Sequence, residues 1–115
     1  MPQAPSRGEV WFVDLDPTRA HEQAGDRPVV IISTDVFNHG PSGLTVVVPL
    51  TRVDKHVPLH VRVDPLEGGL RETSFAMCDQ MRTISRDRFR GTARGFLSPR
   101  TMAEVADRIR ILLDL

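Results

Sequence analysis

The side chains best suited to do chemistry lie in one polar stretch, residues 16–28, which reads DPTRAHEQAGDRP. It combines acids, a histidine and two arginines. Carboxylates and imidazole can exchange protons, and an arginine fork can bind two phosphate oxygens. A strand-like segment precedes the stretch and Gly25 lies inside it, which predicts a long loop of the kind that often carries function. Composition alone fits a solvated loop with ordinary charges at least as well.

Metal and cofactor chemistry is not supported by the motifs. Of the four histidines, only His56 and His60 have the i,i+4 spacing of a zinc helix, and Pro58 between them argues against a helix. No acidic cluster resembles a calcium or magnesium site. Glycine-rich nucleotide-binding loops and the serine nucleophile elbow are also missing. We therefore expect no metal and no cofactor.

Cysteine usage and hydropathy bear on the compartment. Cys78 is the only cysteine, so no intrachain disulfide can form, as is usual in a reducing compartment. A lone cysteine can be a nucleophile, but it is more often a small buried hydrophobic residue. No apolar run approaches the ~18 residues that span a bilayer, and the first residues have no apolar core of a signal peptide. These features predict a cytoplasmic protein with no membrane partner.

Length and charge restrict the organisation further. The chain has 115 residues, which predicts one domain over residues 7–115 behind a flexible arm of residues 1–6. Its formal net charge is zero. A constitutive nucleic-acid binder usually has a basic excess, so any such site here must come from local clustering.

Several short strands and one helix must position the polar loop. Strands are predicted over residues 10–15, 28–33, 44–50, 60–63, 74–78 and, more weakly, 81–84, while 89–93 is ambiguous. Residues 35–39 suit a single helical turn, and the pair at 68–69 marks a turn. Pro49 predicts an edge or a bend in its strand. The pattern indicates a small barrel or strongly bent sheet of α+β class.

The C-terminal segment gives the clearest helix signal. Ser98 suits the N-cap and Pro99 the first helical position. Apolar residues then recur at helical spacing, which predicts an amphipathic helix of about four turns. Its wide apolar face would cover the sheet and also suits a subunit interface. The residues on that face are Met102, Val105, Ala106, Ile109, Leu112 and Leu113.

Taken in order, these segments resemble the MazF/PemK toxin family over residues 7–113. The resemblance is carried by GEVWFVDLDP at 8–17, HEQ at 21–23, RPVV at 27–30, VPLT at 48–51, CDQ at 78–80 and RTI at 82–84, followed by the amphipathic helix. It implies an SH3-like barrel of the CcdB/MazF/PemK type that forms a homodimer. It also implies sequence-specific cleavage of single-stranded RNA, as by an mRNA interferase, and neutralisation by a cognate antitoxin with an acidic, extended tail.

The implied reaction needs no metal, because the 2′-hydroxyl of the RNA attacks the adjacent phosphorus and leaves a 2′,3′-cyclic phosphate and a 5′-hydroxyl. The protein must move two protons and stabilise the charge on the phosphorane. By resemblance, Arg27 would clamp the phosphate and Thr51 would donate to it. His21 and Glu22 are the acid–base candidates, and their roles stay open between them. The alternative for Arg27 is a surface ion pair with Asp26 or Asp79.

The expected RNA contacts involve the loops at 21–27 and 52–58 and the CDQ segment. The residues assigned to them are Arg19, Gln23, Arg52, Asp79 and Gln80. The alternative for Gln80 is to satisfy buried backbone groups. The sequence departs from the plasmid-type members at Met77, where they have an arginine with a catalytic part.

Two other functions remain open at this point. One is a non-catalytic toxin that binds and inhibits a protein such as DNA gyrase, since relatives with this barrel do so. The other is a catalytically inactive regulatory dimer. Arg27 and Thr51 discriminate among the three, because only the nuclease needs a phosphate clamp beside a hydroxyl donor.

Overall fold

The computed structural model describes residues 4–15 and 25–115. Within them the chain forms seven strands and two α-helices, joined partly by short 3₁₀ turns. The strands are β1 (Glu9–Val13), β2 (Arg27–Ile31), β3 (Leu44–Thr51), β4 (His60–Val63), β5 (Ser74–Met77), β6 (Arg82–Ser85) and β7 (Phe89–Phe96). The helices are α1 (Asp35–Asn38) and α2 (Pro99–Leu113), and the 3₁₀ turns are Glu67–Gly69, Cys78–Gln80 and Arg86–Arg88.

All strand pairings are antiparallel, and the sheet runs in the order β4-β5-β3-β2-β1-β7, with β6 added to β3. The predicted α+β class is confirmed: one strongly curved sheet with a C-terminal helix. The predicted strand at 60–63 and the helical turn near 35 are also found. Segment 89–93, ambiguous in sequence, is the start of a strand that continues to Phe96.

Strand β3 exchanges partners along its length. Its first half, up to Val47, pairs with β6, and its last two residues pair with β5. Pro49 lies between these pairings. The amide of Ile32 donates to the carbonyl of Val46 at 3.0 Å, and the antiparallel alternation then puts Pro49 at a non-hydrogen-bonded position opposite Val29. The backbone nitrogen of Pro49 therefore points away from β2, towards the gap between the residues that pair with β6 and those that pair with β5. Because no strand accepts a hydrogen bond there, the missing N–H of proline costs no hydrogen bond between strands.

This arrangement corrects part of the expectation for Pro49. β3 is not an edge strand, because β2 lies on one side and β5 and β6 share the other. What Pro49 marks is the division of the sheet into two halves, one around β1 and β2 and the other around β4 and β5.

The two faces of the sheet bury different apolar groups. The main core joins both halves of the sheet to α2 and contains Val10, Val30, Val48, Leu50, Val61, Val63, Leu70, Ala76, Cys78, Leu97 and Val105. A second cluster covers the other face of the first half only and contains Trp11, Val13, Val29, Ile31, Val47 and Ile84. The second half of the sheet thus has its outer face free of that cluster.

Helix α2 begins where the sequence predicts. The Ser98 hydroxyl accepts from the amide of Thr101 at 3.1 Å, and Pro99 is the first helical residue. Glu67 strengthens this end: Oε1 accepts from the Ser98 amide at 2.8 Å and Oε2 from the Thr101 hydroxyl at 3.0 Å. A carboxylate suits the positive end of a helix. Val105 of α2 is fully buried against the sheet, whereas the leucines in the last turn of the helix are exposed.

Candidate functional site

One row of side chains crosses the middle of the sheet on the face opposite the main core. Arg27 pairs with Val13 of β1, and the β2–β3 register, extended by two residues, puts Arg27 opposite Thr51. Thr51 pairs with Phe75, which pairs in turn with Arg62. Directly paired residues of antiparallel strands point to the same face. We call Arg27, Thr51, Phe75 and Arg62 the arginine row.

Arg27 begins β2, and its side chain is exposed. Pro28 follows it and fixes its own backbone φ, so the strand start is stiff. Within residues 4–15 and 25–115, Arg27 makes no ion pair and no side-chain hydrogen bond, so the alternative of a pair with Asp26 or Asp79 is not found there. Among the described residues, the donors of its guanidinium are therefore unused.

Thr51, the last residue of β3, is half-buried. Its Oγ1 accepts a hydrogen bond from the amide of Val53 at 3.2 Å. That contact uses an oxygen lone pair, so the hydroxyl proton remains available to donate. Two sites that can donate to one phosphate, a guanidinium and a hydroxyl, therefore lie in register on adjacent strands.

Arg52, predicted to contact RNA, already has a partner. Its Nη1 lies 2.7 Å from Oε2 of Glu72, and both side chains are largely exposed. An exposed ion pair of this kind contributes little to stability, about 0.2–1 kcal/mol. The pair holds Arg52 towards Glu72, and an incoming phosphate would compete with that carboxylate.

Asp79 and Gln80 lie in the 3₁₀ turn Cys78–Gln80 that follows β5. Both are exposed. Asp79 accepts a hydrogen bond through Oδ1 from Nε2 of His60 at 2.8 Å. Gln80 makes no side-chain hydrogen bond to the described residues, so it is not occupied with buried backbone groups there. Apart from its spacing from His56, no local pattern singles out His60, because its partner depends on the pairing of β4 with β5.

Met77 and Cys78 form the buried side of the same turn. Met77 is 8% exposed and Cys78 is fully buried. Burial raises the pKa of the Cys78 thiol to about 11, although the nearby Arg108 guanidinium acts in the opposite direction. Cys78 has no exposed surface and packs in the main core, and its thiol stays protonated at neutral pH, which fits the interpretation as a buried core residue.

Four predicted site residues, Arg19, His21, Glu22 and Gln23, lie outside the described residues, so their acid–base and RNA-contact roles stay predictions. Elsewhere in the chain, over 4–15 and 25–115, no group of three or more His, Cys, Asp or Glu side chains is placed to hold a metal ion. In the same residues no helix has the length and apolar character needed to cross a membrane.

Comparison with known proteins interprets this geometry. A family model described as the PemK-like, MazF-like toxin of type II toxin–antitoxin systems matches residues 6–113. The chain belongs to this PemK/MazF toxin family. The matched range includes Arg27, Thr51, Asp79 and all of α2.

Relatives in sequence and structure agree. Endoribonuclease PemK of Escherichia coli is 42% identical over 109 residues, covering 93% of this chain and 80% of that protein. MazF from Deinococcus radiodurans superposes with a TM-score of 0.81 at 25% identity, over 99% of this chain and 100% of that one. An endoribonuclease from a mycobacterial species, solved with its cognate antitoxin, has a TM-score of 0.77 at 26% identity, covering 99% and 97%. The predicted PemK/MazF fold is thereby confirmed.

Proposed function

We propose that this PemK/MazF toxin is a sequence-specific endoribonuclease that cleaves single-stranded RNA without a metal ion. The 2′-hydroxyl attacks the adjacent phosphorus and the 5′-oxygen leaves, giving 2′,3′-cyclic phosphate and 5′-hydroxyl ends. The observation that carries the proposal is the pairing of Arg27 with Thr51. A guanidinium with no partner among residues 4–15 and 25–115 and a hydroxyl with a free proton lie side by side on a face that the main core does not use.

The negative charge that builds up on the phosphate oxygens during the reaction explains why these two groups suit it. The phosphorane carries more negative charge than the phosphodiester, and donors already in place stabilise it without reorganising. Arg27 can hold two oxygens at once because its fork matches their spacing. Thr51 can donate to one of them while its lone pair remains tied to the amide of Val53. Proton transfer is assigned to His21 and Glu22, as the sequence predicts.

The substrate class follows from the same face. Only ribose supplies the attacking hydroxyl, so DNA of the same sequence should stay intact. Arg62 extends the arginine row on the far side of Phe75, and both side chains lie on the same face as Arg27. An arginine plane and an aromatic ring are the groups on which unpaired bases stack. Arg52, Asp79 and Gln80 complete the proposed contacts, and readout by arginine and polar groups is expected.

A long single-stranded RNA incubated with the protein and excess EDTA tests the proposal. We expect discrete fragments with cyclic phosphate ends, and Arg27→Ala should slow their formation on the order of 10²–10³-fold. Arg100→Ala is the matched control, since Arg100 is also exposed but lies on α2. A substrate with a single 2′-deoxy substitution at the cut should resist. RNA left intact under all conditions would contradict the proposal and favour a toxin that acts on a protein target.

We also propose two partners. The first is a second copy of the chain, because the last turn of α2 exposes Ile111, Leu112 and Leu113, with Leu115 beyond it. Light scattering at micromolar concentration should give the mass of a homodimer, and a monomer would contradict this. The second is a cognate antitoxin with an acidic tail that lies along the arginine row. Its binding should exclude RNA, and we expect both events in the cytoplasm.

A further inference from the structure

A polar contact between His60 and Asp79 lies near the proposed RNA face. His60 begins β4 and pairs with Met77, the last residue of β5, so the fold sets it beside the turn that carries Asp79. The imidazole is 4% exposed, whereas the carboxylate of Asp79 is 33% exposed. One partner is thus fixed in the protein and the other reaches solvent.

The surroundings of His60 leave Asp79 as its only ring partner in the described residues. Nδ1 is buried and has no hydrogen-bond partner there, while Nε2 lies 2.8 Å from Oδ1 of Asp79. The ring hydrogen therefore belongs on Nε2, where it donates to the carboxylate. The tautomer with hydrogen on Nδ1 would bury an unpaired donor and set a lone pair against the carboxylate, and a buried unpaired donor costs about 1–3 kcal/mol.

The other neighbours do not duplicate this contact. Met77 is apolar, and the Cys78 thiol is held neutral by burial. On α2, the Arg108 guanidinium donates to the carbonyl of Pro58 at 3.3 Å and to the carboxylate of Asp107 at 2.8 Å. Among residues 4–15 and 25–115, His60 is accordingly the single hydrogen-bond donor to the Asp79 side chain.

We infer that His60 is a positioning residue for RNA cleavage: its buried Nε2–H donates to Asp79 Oδ1 and fixes the carboxylate so that Oδ2 faces the substrate. This rests on the proposed nuclease function and assigns to that site a residue that does not touch RNA itself. Register places His60 on the same strand face as Arg62, two residues away, so the fixed carboxylate adjoins the arginine row.

Two substitutions separate donation from mere bulk. His60→Gln can place an amide N–H near the position of Nε2, whereas His60→Leu fills the space without a donor. We expect His60→Leu to slow single-turnover cleavage at saturating RNA about 10- to 100-fold, since small misplacements of this kind cost up to ~10² in rate. His60→Gln should stay within about threefold of the unsubstituted protein. His39→Leu is the control, because His39 also makes ring hydrogen bonds but caps α1.

A double-substitution cycle then asks whether His60 acts through Asp79. If it does, Asp79→Asn should be slow, and adding His60→Leu to Asp79→Asn should cost no further rate. If the rate losses of the two single variants multiply in the double variant, the inference is wrong. It is also wrong if His60→Gln folds but cleaves as slowly as His60→Leu. If His60→Leu does not fold, the cleavage rates of His60→Gln and Asp79→Asn still test the inference, which requires the first to be near the unsubstituted rate and the second to be slow.

A measurement without RNA keeps this inference distinct from the nuclease proposal. In ¹⁵N spectra of the histidine rings, His60 should carry its hydrogen on Nε2, and the Nε2 signal should shift in Asp79→Asn. His60 with hydrogen on Nδ1 would overturn the contact whatever the activity. If the unsubstituted protein leaves RNA intact, the nuclease proposal fails and the positioning role fails with it. The ¹⁵N signals of the His60 ring still show whether the His60–Asp79 hydrogen bond exists.

Discussion

The rate at which Cys78 reacts with a disulfide reagent measures how tightly the end of β5 is buried. With its pKa at about 11, the thiol is ionised to about one part in 10³ at pH 8, whereas an ordinary thiol with a pKa near 8.5 is about one quarter ionised. Because the thiolate is the reacting form, ionisation alone should slow the native protein about 200-fold. Full burial adds a further loss, since the reagent must reach a sulfur with no exposed surface.

The assay follows the reaction with a chromogenic disulfide reagent at pH 8, in native buffer and after denaturation in guanidinium. The exposed reference is Ser42→Cys in a Cys78→Ala background, because Ser42 lies in an exposed turn. We expect that reference to react at the rate of a free thiol in both buffers, and Cys78 only after denaturation. A native Cys78 that reacts within tenfold of the reference would refute the burial argument and reopen its role as a nucleophile.

The same pKa gives a pH dependence of stability. The folded value lies above the unfolded one, so the contribution of the neutral thiol is complete below about pH 8.5 and is lost as the pH rises towards 11. The chain has no tyrosine and a single lysine, so few other side chains titrate in this window. The difference in urea midpoint between the unsubstituted protein and Cys78→Ala should move in favour of Cys78→Ala between pH 8 and 11. A constant difference would show that the thiol does not remain neutral.

Three further predictions concern other contacts. Thr51→Val should lose cleavage on the order of 10²–10³-fold while Thr51→Ser retains most of it, by the RNA assay; equal losses would show that the hydroxyl is not used. Glu67→Gln should lower the free energy of unfolding by about 1–2 kcal/mol in denaturant titrations, because one side-chain oxygen can no longer accept a hydrogen bond at the start of α2. Glu104→Gln is the control, since Glu104 is exposed on the same helix and its substitution should change the free energy of unfolding far less. Glu72→Gln should tighten RNA binding up to about fivefold by releasing Arg52, as measured by fluorescence anisotropy, and unchanged affinity would mean that Arg52 does not contact RNA.

The sequence predicted the elements whose signals are local. Ser98 and Pro99 define the start of α2 through capping chemistry that needs no tertiary contact, and the structure confirms both. The strand from His60 follows from alternation within four residues. The candidate pair of Arg27 and Thr51 came from resemblance, and the register now explains it, because the two residues begin and end neighbouring strands.

The features that could not be predicted from the sequence depend on which strands pair with each other. Segment 89–93 is ambiguous in sequence because Gly91 interrupts its pattern. In the structure Gly91 and Gly95 of β7 both have positive φ values, and the register with β1 shifts between Val10 and Phe12. The His60–Asp79 contact requires β4 to pair with β5, which no local pattern encodes. Pro49 signalled a discontinuity correctly, but only the two partners of β3 show that the discontinuity lies in the middle of the sheet.

The shared strand β3 also bears on when the proposed RNA face is assembled during synthesis. Thr51 meets Phe75, which lies 24 residues later, and the face also needs β2 from the other half of the sheet. Contacts of such separation form late, after long loops have closed. Val105 of the last helix completes the core beneath. A partly synthesised chain therefore holds many of the side chains of the arginine row without their arrangement.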